Sequence, residues 1–182
     1  SNRRFTYEEA QEIIEGAEGD YKKEILFLDQ IAKILRKKRL KAGALNIESE
    51  EMRFELDAAG NPTNVILKTS KDAHKLVEEF MLLANKKVAT FIAKPENKAD
   101  KIPFVYRCHD KPDIEKIALF RVFIAKFGYE LNFTSPDDIS SAINELLLKI
   151  KPTSEYSLIQ TMAIRSMAKA TYETDNIGHY GL

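Results

Sequence analysis

Lys71-Asp72-Ala73-His74-Lys75-Leu76-Val77-Glu78-Glu79-Phe80-Met81-Leu82-Leu83-Ala84-Asn85 opens the longest helical pattern in the chain, which continues to about Lys94. Ala73, Val77, Phe80, Ala84, Val88 and Phe91 recur at steps of three and four, the period of one helix face. They predict a single apolar stripe. At about 100° per residue, His74, Glu78 and Asn85 project roughly 60–100° from the centre of that stripe, all on one flank. Glu79 points nearly the opposite way, with Lys75 and Lys86. The two adjacent glutamates are therefore expected to differ, Glu78 at the margin of a packed face and Glu79 in solvent.

The elements on either side complete the fold class. Upstream, Arg53-Phe54-Glu55-Leu56-Asp57 alternates with period two and Asn64 to Lys68 is β-rich. Ala58-Ala59-Gly60-Asn61-Pro62 between them has turn chemistry, so the pair reads as a β-hairpin with a loop longer than two residues. Before it, Asp20 to Leu40 reads as a helix with Ile25, Leu28, Ile31, Ala32 and Leu35 on one face. Thr6-Tyr7-Glu8-Glu9 is a capping-box pattern for a shorter first helix that stops near Gly16. Downstream, Pro95 to Lys101 is a polar break, and Phe104-Val105-Tyr106-Arg107 is a short strand. Ile114 to Phe127 is a helix ended by Gly128. Ser135-Pro136-Asp137-Asp138 caps another, which runs to Lys149. The last helix starts at Pro152-Thr153-Ser154, carries Leu158, Met162, Arg165 and Met167, and fades around Tyr172. The order describes an α+β fold, mostly helical, with a β-hairpin and one short additional strand.

Composition sets limits on function. The chain has 182 residues, with 28 Lys+Arg against 28 Asp+Glu, 44% hydrophobic and 31% charged. That is ordinary globular composition, long enough for one domain or two small ones. A balance of zero excludes a uniformly basic nucleic-acid coat but permits a local basic patch. One cysteine excludes an internal disulfide and a Cys-rich zinc site. No apolar run approaches the roughly 20 residues of a membrane-spanning helix, and no secretory signal opens the chain. No membrane partner is expected.

Few residues announce chemistry on their own. His74, His109 and His179 are far apart in sequence, and none has the zinc-helix spacing. Cys108 and His109 are neighbours on a predicted strand and point to opposite faces, so Cys108 reads as a buried structural thiol rather than a nucleophile. No phosphate-cradling glycine loop and no nucleophile elbow are present. The run Arg36-Lys37-Lys38-Arg39 suits the negative end of a helix dipole, and phosphate contact is the alternative.

Several stretches are nevertheless familiar together. Arg4-Phe5-Thr6-Tyr7-Glu8-Glu9-Ala10, Lys41-Ala42-Gly43-Ala44-Leu45-Asn46, Lys71 to Asn85, Tyr106-Arg107-Cys108-His109-Asp110-Lys111-Pro112, Arg165-Ser166-Met167-Ala168-Lys169-Ala170 and Gly178-His179-Tyr180-Gly181-Leu182 resemble segments of the catalytic (RNB) domain of the ribonuclease II / ribonuclease R family. They fall in the family's order over nearly the whole chain, and they look most like the ribonuclease R branch. One position departs from the pattern. Ile47 stands where the family often has an aromatic residue that stacks on a base, and an aliphatic side chain lacks that stacking contribution of about 1–3 kcal/mol.

The resemblance implies that residues 1–182 are the central part of a 3′→5′ exoribonuclease catalytic domain. The whole enzyme would hydrolyse single-stranded RNA processively to nucleoside 5′-monophosphates in the cytoplasm. It implies a magnesium (Mg2+) cofactor held by an aspartate cluster outside this chain. Cold-shock-like domains before that cluster and an S1-type domain after the chain belong to the same expectation. No catalytic or metal-binding residue is then expected within the chain, and the chain alone is expected to be inactive. The residues expected to meet RNA are Glu78, His74, Asn85, Arg165, His179 and Tyr180, with Arg36, Lys37, Lys38 and Arg39 as candidate phosphate contacts. Glu78 matches a family glutamate that contacts the sugar of the bound nucleotide. The alternative is a non-catalytic RNA-binding or scaffolding module of the same fold.

Overall fold

A computed structural model describes residues 3–47, 51–93 and 103–180. The chain divides into two compact units, the first formed by residues 1–37 and 47–86, the second by residues 38–46 and 87–182. The elements are α1 (Tyr7–Ile14), α2 (Lys22–Lys41), β1 (Glu51–Leu56), β2 (Pro62–Lys68), α3 (Asp72–Ile92), β3 (Tyr106–Cys108), α4 (Ile114–Ala125), a 3-10 turn (Pro136–Asp138), α5 (Ile139–Ile150), α6 (Tyr156–Ser166) and β4 (Thr171–Glu173). This is the α+β, mostly helical arrangement that the periodicities predict. The predicted polar break at Pro95 to Lys101 lies outside the described residues.

In the first unit, α1 is set by its cap. The Thr6 hydroxyl accepts from the Glu9 N–H at 3.1 Å, and the Glu9 carboxylate accepts from the Thr6 N–H at 2.8 Å. Two of the helix's unpaired amides are satisfied reciprocally. Beyond α1 the chain reverses at Gly16, whose φ of 118° suits glycine. The buried Gln11 on α1 then reaches α3. Its carbonyl oxygen accepts from the Ala73 N–H at 2.9 Å, in the first turn of α3 where no helical carbonyl is available. Its amide donates to Glu15 at 2.8 Å. The hairpin pairs Met52 with Leu67 and Phe54 with Val65, with an irregularity between Glu55 and Leu56. Asp57 organises its turn by accepting from the Ala59 and Asn61 amides, both at 2.9 Å.

The second unit has a continuous apolar core. Ile117, Phe120 and Ile124 of α4 meet Ile139, Ile143, Leu146, Leu147 and Ile150 of α5, with Ile159 and Ala163 of α6. The segment after α2 is fastened to α5 by one side chain. The Asn144 amide donates to the Ala44 carbonyl and accepts from the Asn46 N–H, each at 2.8 Å. Leu45, between those two residues, packs on the core.

The C-terminal end departs from the sequence prediction. The last helix ends at Ser166 instead of fading near Tyr172. Thr171–Glu173 is a strand, β4, antiparallel to β3, with Arg107 opposite Tyr172. Three residues are too few to show a period, and the hydrogen bonds that make them a strand come from residues far back in the chain. β4 thus begins a return path of the C-terminal segment along β3.

Asn144→Ala removes both bonds to the Ala44–Asn46 segment. It should destabilise the protein by about 1–3 kcal/mol, read by denaturant unfolding. Asn132→Ala, an exposed change, should stay within about 0.5 kcal/mol.

Candidate nucleic-acid interface

The long helix α3 carries three of the expected contacts, but it is rotated relative to its apolar stripe. Its buried side holds Ala73, Glu79, Leu76, Phe80 and Leu83, with Ala73 and Glu79 the most enclosed. Val77, Ala84, Val88 and Phe91 of the predicted stripe are exposed, Phe91 by 58%. The covered face therefore lies about a quarter turn from the stripe.

Glu79, expected in solvent, is only 3% exposed. This corrects the expectation for that residue, and the reason is a partner that the helix itself cannot reveal. Arg36 on α2 stands 3.8 Å from the Glu79 carboxylate. A charge is buried only where a counter-charge is supplied, and here the supplier lies many turns away in sequence. A second acid on α2 is buried in the same manner. Asp29, 5% exposed, takes the Lys33 ammonium at 2.7 Å, and Lys33 also reaches Asp72 at the start of α3 at 3.4 Å. The hydrogen bond that Lys33 donates to Asp29, outweighing the cost of burial, holds Lys33 more firmly protonated than an ordinary lysine.

Glu78 is exposed, as is Asn85 two turns on. Seven residues apart on one helix, they share a flank, together with His74 four residues before Glu78. His74 is half-buried. Its ring stacks on Tyr7 of α1 with centroids 4.1 Å apart and planes at 10°. Its Nδ1 accepts from the Lys71 N–H at 3.4 Å. The flank therefore places the exposed residues Glu78 and Asn85 beside the exposed apolar side chains of Val77 and Met81.

The basic run separates by neighbourhood. Arg36 faces Glu79, so the partner given to it by the fold is a carboxylate. Lys37 and Lys38 are exposed, and Arg39 is half-buried. Lys38 and Lys41 are in the last turn of α2, at the negative end of its dipole. Ile47, at the position noted for base stacking, is 37% exposed.

The second unit gathers its own group. Arg165 is exposed at the C-terminal end of α6. His179 and Tyr180 lie on the return segment after β4. His179 Nδ1 is 2.7 Å from the Arg107 carbonyl, and the Tyr180 hydroxyl donates to the Pro136 carbonyl at 3.3 Å. His179 also stacks on His109, which the sequence left as an isolated histidine. Cys108 is buried, with its Sγ 3.6 Å from the Asp175 carbonyl, as a structural thiol would be. Asn144, Arg36 as a partner of Glu79, and the His109–His179 pair escaped the sequence reading. Each is a contact between distant segments and leaves no local periodic signal. Among the described residues, no group of three or more His, Cys, Asp or Glu side chains could hold a metal ion. Nor is any helix among them long and apolar enough to cross a membrane.

The RNB domain model matches residues 1–182. The chain belongs to the RNB domain family. It is 35% identical over 191 residues to ribonuclease R of Escherichia coli (strain K12), covering 100% of this chain and 22% of that protein. The apo form of Mycoplasma genitalium RNase R shares the fold, with a TM-score of 0.82 at 20% identity over 98% of this chain and 28% of that one. The same enzyme in complex with ribose-methylated single-stranded RNA superposes with a TM-score of 0.82 at 19% identity, over 98% of this chain and 28% of its own. The chain thus spans about a quarter of the length of the relatives it matches.

Because Glu79 is enclosed and Glu78 is not, the two should fail differently. Glu79→Ala and Arg36→Ala should each lower stability by about 2–3 kcal/mol, since each deprives a buried or half-buried charge of its partner. Glu78→Ala should leave stability within about 0.5 kcal/mol. Thermal or urea unfolding of the three variants checks this. Equal melting of all three would remove the Arg36–Glu79 pair from the account of how α3 is oriented.

Proposed function

We propose that this chain is the central part of the catalytic domain of a magnesium-dependent 3′→5′ exoribonuclease, one that degrades single-stranded RNA processively in the cytoplasm. The observation that carries the reading is the family match over all 182 residues. It is joined by an α3 motif in which Glu78 is an exposed residue. A carboxylate can accept a hydrogen bond from a ribose 2′-OH, which DNA lacks, and so can favour RNA. Asn85 on the same flank can donate or accept at a neighbouring sugar or base. Val77 and Met81 beside them offer apolar surface against which an unstacked base can pack.

In this reading, His179 and Tyr180 hold the return segment that carries them as well as facing the RNA. Arg165, Lys37 and Lys38 supply exposed cations for phosphates. Arg36, engaged with Glu79, serves the orientation of α3 first. The metal-dependent chemistry belongs to carboxylates outside this chain. The chain contributes walls and sugar contacts to the enzyme and is inactive by itself.

Two measurements test this. The chain alone should release no mononucleotides from a labelled oligo-RNA with magnesium present, and it should bind RNA weakly, with affinity falling steeply as salt rises. Sustained activity in a nuclease-free preparation would overturn the division of labour. In the longer enzyme, Glu78→Ala should cost about 1–3 kcal/mol in turnover of RNA. The loss should be smaller on substrates whose terminal sugars lack the 2′-OH. A loss of the same size on both substrates would take Glu78 out of the sugar contact. If the longer protein with every family residue intact degrades no RNA, the scaffolding alternative replaces the enzyme.

A further inference from the structure

The return path of residues 171–180 along β3 closes on two histidines. The rings of His109 and His179 stack with centroids 4.3 Å apart and planes at 14°. The backbone around them forms a parallel bridge. The His109 N–H donates to the Gly178 carbonyl at 3.2 Å, and the Tyr180 N–H donates to the His109 carbonyl at 3.1 Å. His179 Nδ1 lies 2.7 Å from the Arg107 carbonyl. A carbonyl only accepts, so Nδ1 carries the proton and the Nε2 of the neutral ring is a bare acceptor. The Nε2 atoms of His179 and His109 are both buried, and neither has a hydrogen-bond partner.

A proton taken up by the His109 ring would place a charge against a second imidazole face, beside two Nε2 atoms that have no hydrogen-bond partner among the described residues. The charged groups nearby do not offset this. Arg107 on β3 is itself cationic. In the turn after β3, Asp110 is followed by Lys111, which pairs with Asp137 of the 3-10 turn at 3.0 Å. On the return segment, Asp175 meets Cys108 through its backbone carbonyl, and Tyr180 bonds to Pro136 through its hydroxyl. On β4, Glu173 is opposite Tyr106. Among the described residues no carboxylate pairs with either ring.

We propose that the His109–His179 stack is a proton-sensitive latch, which holds residues 175–180 against β3 while His109 is neutral and releases them when His109 is protonated. Burial first, then the neighbouring His179 and Arg107, push the His109 imidazole below its ordinary range, outweighing a hydrogen bond to the Tyr180 backbone. A folded-state value that is depressed means that the open segment binds the proton more readily. The latch is therefore fully closed above about pH 6.5, the ordinary histidine value, and weakens as pH falls from there towards the folded value. It is independent of whether the chain binds RNA, although it governs the segment that carries His179 and Tyr180.

Amide hydrogen exchange on the intact chain, corrected for the intrinsic pH dependence of exchange, reads the latch directly. Between pH 7.5 and 5.5, protection of the His109 and Tyr180 amides should fall by up to about tenfold as His109 takes a proton. Amides of Ile117 and Ile143 in the core should not follow. Imidazole nitrogen shifts should report protonation over the same pH interval as the loss of protection. His109→Phe keeps an aromatic ring in the stack but cannot take a proton, and it should remove most of the pH step. Imidazolium forming while both amides stay protected would overturn the latch. So would protection that is constant with pH while the rings stay neutral, or an undiminished pH step in His109→Phe. The wild-type comparison decides the matter alone if the variant does not close.

Discussion

The orientation of α3 depends on one buried ion pair, Glu79 of α3 with Arg36 of α2. A carboxylate at 3% exposure is tolerable only beside a cation, and the cation is on the neighbouring helix. Placing Glu79 inward turns the helix about its own axis. Glu78, one residue earlier and about 100° round, is thereby turned outward with Asn85. The same pair leaves Val77, Met81, Val88 and Phe91 on the exposed side. Asp29, Lys33 and Asp72 repeat the arrangement one turn away, and Gln11 closes the first turn of α3 from α1. The first unit thus combines polar contacts with apolar burial, and those contacts lie on the covered side of α3.

The second unit follows a different principle. Its three helices α4, α5 and α6 bury a continuous set of isoleucines and leucines, and that core supports two devices that reach distant segments. Asn144 acts as a one-residue edge, donating and accepting as a strand would, and fixes Ala44 to Asn46. The β3–β4 pair and the histidine stack bring residues 171–180 back to β3. Both devices position segments that match the family, the one after α2 and the one that ends in Gly178-His179-Tyr180. The positions of those motifs are therefore set by side chains outside the motifs.

Elements with local signals were legible before any coordinates. The Thr6–Glu9 capping box, the hairpin around Asp57–Pro62 and the helix end just before Gly128 form close to where they were read, and Ser135–Asp138 makes a 3-10 turn ahead of α5, because caps and turns depend on residues a few positions apart. β4 was not legible, since its hydrogen-bond partners are on β3. The family and its motifs were legible too, because a linear motif survives in sequence whatever its tertiary neighbours.

By itself, then, the sequence determined the α+β class, the order of helices and hairpin, and membership of the RNB family. Tertiary structure alone decided which of two adjacent glutamates faces solvent. The apolar stripe of α3 gave Glu79 to solvent, because counting apolar residues assigns every charge to water. Arg36 reversed that assignment by lowering the cost of burying a carboxylate. Tertiary structure also decided that three scattered histidines become a Tyr7–His74 stack and a His109–His179 stack. Ring contacts and buried charges arise between residues that only the folded chain makes neighbours, so no window of sequence contains them.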